Sequence, residues 1–159
     1  MTTNASLNLF YSNWTPRFLS VLRIAVALLF IENGSEKLFG FPFGPTAHQF
    51  ASGSLPPLLL VAGVLEFFGG LLLILGLFTR PVAFLLSGEM AVAYFMAHAP
   101  QGFFPVLNQG ELAALYSFVF LYLAVAGGGA WSLDNLLWRR RGPRRGSALP
   151  KKSFEPTAN

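Results

Sequence analysis

The sequence predicts an all-α fold: a polytopic membrane four-helix bundle with both termini cytoplasmic. Three observations carry this reading. Of 159 residues, 53% are hydrophobic and only 11% charged, against about 25% charged in a soluble domain; mean hydropathy is +0.53. Four segments, about 17–37, 56–78, 81–99 and 110–130, approach the ~20 apolar residues that a bilayer span needs. In that arrangement ten of the eleven Lys and Arg residues fall on one side, leaving only Lys37 on the other, and the positive-inside rule makes the basic side cytoplasmic.

The elements follow in order. Residues 1–16 read as a cytoplasmic N-terminal tail without Lys or Arg, and the apolar run after them as a retained helix, since no small-residue cleavage site follows it. The first span carries Arg23 and ends in "IENGSEKLFGF", where Glu32, Glu36 and Lys37 surround Asn33-Gly34. The second opens at Pro56-Pro57, since proline is tolerated in a first helical turn, and closes at Thr79-Arg80-Pro81. Pro81 is expected to open the third span, which makes the hairpin between spans two and three very tight. Residues 17–135 form one four-span domain, and 136–159 a basic cytoplasmic C-terminal tail. The loops joining spans one to two and three to four are nearly uncharged and rich in Phe, which suits an interfacial aromatic belt or a lid over that end of the bundle.

Composition excludes several chemistries. With no cysteine, the chain has no disulfide, thiol, iron–sulfur or covalent c-type haem chemistry of its own. His48 and His98 alone do not make a closed metal site, so no metal is expected. No Ser-His-acid set suggests a hydrolase, and nothing beyond the basic tail points to nucleic acid.

The informative residues are the charges within or beside spans, because a charge at the bilayer centre costs ~3 kcal/mol or more and such groups face the protein interior. A rise of ~1.5 Å per residue puts Arg23, Glu66 and Glu89 at middle depths, and Glu32, Glu36, Lys37, His98 and Glu111 toward the non-cytoplasmic face. Glu66 lies on a stripe with Ala62, Gly63, Gly69 and Gly70, small residues that let a second helix approach. A similar stripe in span three holds Ala83, Ser87 and Ala91, with Glu89 off it. Arg23 and Glu89 are assigned to structural charge pairing, with Glu66 as the alternative acid and snorkelling of Arg23 to the surface as the alternative role. Glu32, Glu36, Lys37, Glu66, His98 and Glu111 are the candidate ligand-binding set, a polar pocket with Glu66 as its floor. No catalytic residue is assigned.

An Arg in span one followed by "NGSEKLFGF", "LEFFGGLLLILGLFTRPVA", a His with "FFP" and "GE", and then "GGGAWSLD" resembles the DoxX family of small four-helix membrane proteins over residues 17–135. The matching positions are Arg23, Lys37, Glu66, Arg80, His98, Glu111 and Asp134. The resemblance implies a multi-pass protein of the bacterial inner membrane. It also implies kinship with membrane components of thiosulfate:quinone oxidoreductases and of oxidative-stress redox complexes, although relatives that use thiol chemistry depend on cysteines absent here.

The expected function is therefore a redox-associated membrane subunit that binds a quinone-like ligand or docks a membrane or peripheral oxidoreductase partner. In such a complex the chain would be non-catalytic or quinone-binding. Apart from quinone no cofactor is expected; a homo-oligomer in the bilayer is compatible with the pattern. The alternatives are a structural, partner-binding membrane protein and, less favoured, a small-solute or proton transporter.

Overall fold

The computed structural model describes the backbone of residues 2–141 and the side chains of 7–137. Among these residues every regular element is helical. The long helices are α1 (Thr2–Phe39), α3 (Pro57–Leu75), α4 (Thr79–Ala93) and α6 (Glu111–Ala126). They run alternately up and down. Short helices α2 (Ala47–Ala51) and α5 (Pro105–Asn108) interrupt two of the connections, and α7 (Leu133–Arg141) follows α6. α1, α3 and the stretch from Thr79 to Gln101 are each long and apolar enough to cross a membrane; α6 is apolar but shorter.

The boundaries differ from expectation where local chemistry overrides hydropathy. α1 begins at Thr2, so the tail expected over 1–16 is helical and continuous with the span. At 38 residues it is about 57 Å long, nearly twice the ~30 Å hydrocarbon thickness. The third span leaves α-geometry early, through a π turn at Tyr94–His98 and a 3₁₀ turn at Ala99–Gln101. α7 crosses the expected domain end at 135, while the basic stretch from 142 onward lies outside the described residues.

α1 packs along α3, and α4 along α6. Apolar side chains on all sides would give these helices no register in lipid, so small residues and short polar groups set it. Gly34 of α1 lies against the α3 backbone, where an added Cβ would come 2.5 Å from the Phe67 nitrogen. In the other pair Ser87 Oγ donates to the Ser117 carbonyl at 2.8 Å and Ser117 Oγ donates to the Ser87 carbonyl at 3.0 Å. Aromatic contacts join the pairs: the Phe30 ring of α1 meets Tyr116 and Phe120 of α6 edge-on, at 5.3 and 4.7 Å between centroids. Ala27, Leu73, Leu86 and Leu123 fill the core around them.

The α3–α4 connection is as tight as expected. Gly76 takes φ +65°, a region open to glycine at no steric penalty. The Leu77 N–H then donates to the Leu72 carbonyl and the Gly76 N–H to the Leu73 carbonyl, at 3.0 Å each, a Schellman closure of α3. This end of the bundle is called the hairpin end below; the opposite end, capped by residues 40–56 and 94–110, is the loop end.

Candidate functional site

At the hairpin end most buried polar groups find partners within the fold; among the described residues Arg23 Nε and the Thr79 hydroxyl are the exceptions. Arg23 is fully buried. Its guanidinium donates to the carbonyls of Gly128, Trp131 and Ile74, the last two at 2.8 and 3.3 Å. These belong to the last turn of α3 and to the loop after α6, places where helix ends leave carbonyls without partners. The Asp134 carboxylate accepts from the N–H groups of Phe78 and Thr79, both at 2.8 Å. It thereby caps α4 from 55 residues away, by the mechanism of an N-cap side chain. Ser20 Oγ accepts from the Trp131 N–H at 3.0 Å. The "GGGAWSLD" segment is thus a plug that ties α1, α3 and α4 together.

The expected pairing of Arg23 with Glu89 or Glu66 does not occur. Five donors on one guanidinium are better matched by several orphan carbonyls than by one carboxylate, and those carbonyls lie beside it at the hairpin end. Glu66 pairs instead with Lys37 across α1 and α3. Both oxygens of Glu89 are buried and without a hydrogen-bond partner among the described residues.

Lys37, Glu66 and Glu89 line one groove between α3 and α4, of about 790 Å³. Its walls are apolar: Leu58, Val61 and Leu65 from α3, Leu85 and Val92 from α4, and Met96 from the π turn that follows it. Leu58, Val61, Leu85, Val92 and Met96 are also exposed on the outside of the bundle, so the groove opens sideways onto the face that meets lipid. Gly88 stands in it with nothing within 4 Å of an added Cβ. A second cleft, of about 820 Å³, lies at the hairpin end, but its Asp134, Ser132 and Asn135 side chains are already engaged in the plug.

The other candidates from the sequence lie elsewhere. Glu36 accepts from the Thr46 N–H at 2.6 Å and its hydroxyl at 2.8 Å, which folds the 40–56 loop back onto α1. His98 Nδ1 is 3.0 Å from the Asn108 carbonyl, and the ring stacks on Tyr94. Asn108 is itself buried and fixes the second loop by donating to the Gly102 carbonyl. Glu32 and Glu111 are exposed. None of these four candidates lines the groove, so the expected outward-facing pocket is replaced by a lateral one that keeps only Lys37 and Glu66. The residue that sequence reasoning assigned elsewhere is Glu89. The signal was present: Ala83 and Ser87 form the stripe buried toward α6, and Glu89, two residues past Ser87, is turned by roughly 200° to the other side of the helix.

Together the apolar helices and the polar groups between them define a polytopic integral membrane protein. The chain belongs to the DoxX family, whose model matches residues 18–99. An uncharacterised protein of Haemophilus influenzae is 52% identical over 130 residues, covering 80% of this chain and 96% of that one. Inner membrane protein YqjF of Escherichia coli is 34% identical over 119 residues, 74% of this chain and 89% of its own length. Inner membrane protein YphA of the same organism is 33% identical over 131 residues, 75% and 89% respectively. With two such relatives and the apolar helices, the chain is a multi-pass inner-membrane protein. No solved structure matches it at a significant level.

Proposed function

We propose that this protein is a membrane subunit that takes a lipophilic, quinone-like ligand from the bilayer into the α3–α4 groove. The observation that carries the reading is the groove itself: about 790 Å³, apolar walls open to lipid, and three ionisable side chains in its lining. Ligand sites of this kind are mostly apolar, with a few polar groups that fix orientation, and ionisable residues inside a membrane mark such sites. The chain carries no redox centre among its own side chains, so electrons would come from an oxidoreductase partner. The basic residues at the hairpin end, Arg17, Arg80 and those in the last turn of α7, favour that end as the cytoplasmic one.

A test uses the full-length protein in nanodiscs with decylubiquinone as the probe. Ligand should raise the melting temperature of the wild type and leave Gly88→Phe unchanged, because an added Cβ at that groove position meets nothing within 4 Å and the phenyl ring beyond it would take up ligand space. No shift in the wild type, or an equal shift in both, would remove the reading. The structural alternative rests on the Lys37–Glu66 pair, which joins α1 to α3 whether or not a ligand enters.

A further inference from the structure

Four polar side chains line the groove, and three of them are already committed within the fold. Lys37 and Glu66 pair with each other. Ser87 turns its hydroxyl to the Ser117 carbonyl of α6. Glu89 alone has both oxygens shut away from solvent with no partner among the described residues. A buried polar group without a partner is costly, and native structures keep few of them. The orphan belongs to a side chain that lines the apolar groove opening on the lipid-facing surface.

We propose that Glu89 is the residue that recognises the ligand's head group, donating a hydrogen bond from its carboxyl O–H to a carbonyl oxygen. The inference rests on the groove being a ligand site. Charge balance selects the form of the carboxyl. The ionisable groups lining the groove are Lys37 from α1, Glu66 from α3 and Glu89 from α4, and α6 supplies none. One ammonium balances one carboxylate, so a second ionised carboxylate facing lipid would be uncompensated. The group that meets the ligand is therefore a carboxylic acid with one proton to donate. What it lacks is an acceptor, and the apolar walls on either side leave the ligand to bring it. That chemistry selects a carbonyl compound with a hydrophobic body, slid in between α3 and α4 beside Gly88.

The experiment measures decylubiquinone affinity in nanodiscs for the wild type, Glu89→Leu, Glu89→Gln and Gly88→Phe, with tetraphenylphosphonium as a second probe. Glu89→Leu should weaken decylubiquinone binding about tenfold. Glu89→Gln should stay within about threefold of the wild type, because its amide also donates. Both variants should fold, since Glu89 bonds to no other group among the described residues. The wild-type infrared spectrum should carry a carboxylic-acid C=O band that Glu89→Gln lacks and that shifts when decylubiquinone is added. Gly88→Phe blocking the ligand while Glu89→Leu binds normally would overturn this role for Glu89 and leave the groove reading intact. Loss of binding in Glu89→Gln as large as in Glu89→Leu, with tetraphenylphosphonium held tightly by the wild type, would overturn it in favour of a cation site. A wild type that binds decylubiquinone no better than Gly88→Phe would remove both.

Discussion

Arg23 and Glu89 are both ionisable groups within spans, yet their surroundings are opposite. Arg23 donates to three backbone carbonyls from α3 and the 127–132 loop, while the Glu89 carboxyl has no partner among the described residues. The hairpin end uses its polar groups to close the fold on itself. Among the described residues only Arg23 Nε and the Thr79 hydroxyl lack partners there, whereas in the groove a whole carboxyl is left over. In a low-dielectric interior a satisfied polar network rigidifies a structure and an unsatisfied group is a standing cost, so the contrast separates a structural region from one suited to binding.

The strongest way to break this comparison is to remove both groups separately. Arg23→Leu should cost on the order of 4 kcal/mol, because it strands three buried carbonyls, and should sharply lower the melting temperature in detergent. Glu89→Leu should leave that temperature unchanged or raise it. If the two variants melt alike, the distinction between the regions fails. Next comes the one ion pair at the groove floor: Lys37→Met should cost about 3 kcal/mol by leaving Glu66 buried and uncompensated, while Lys37→Met with Glu66→Met should recover most of the loss. A double variant no more stable than the single would show that the pair contributes little beyond each side chain's packing. The smallest effect is at Asp134. Asp134→Ala should cost about 1–2 kcal/mol, the usual loss for a helix cap, and should increase hydrogen exchange at the Phe78 and Thr79 amides first.

Much of the fold was legible because hydropathy and helix punctuation are local. Pro56-Pro57 marks the start of α3 where the helix begins, while its end at Leu75 comes a few residues before the expected close at Thr79-Arg80-Pro81, and Pro81 announces the start of α4 although the first turn begins at Thr79. The continuation of α1 back to Thr2 was not legible. Its first fifteen residues lack the hydropathy of a span, and Pro16, which usually interrupts a helix, sits inside it. Of the candidate set, the structure brings Lys37 and Glu66 together in one groove, and the small-residue stripe around Glu66 is the local signal for the buried face of α3. The partners of Glu36 and His98 were not legible, because Thr46 and the Asn108 carbonyl are loop groups that no spacing rule identifies.

The sequence by itself determined that the chain is helical, crosses a membrane several times and hides a few costly charges between its helices. Those properties follow from apolar length, from proline and glycine at helix ends, and from the price of charge in lipid, all of which act residue by residue. Which charge meets which partner was decided only by the tertiary structure. The plug after α6 returns to α1 and α3 and takes Arg23, α1 brings Lys37 to Glu66, and the packing of α4 on α6 turns Glu89 into the groove. Pairing in a low-dielectric interior is settled by distance and by the supply of competing partners, and both exist only once the helices are docked.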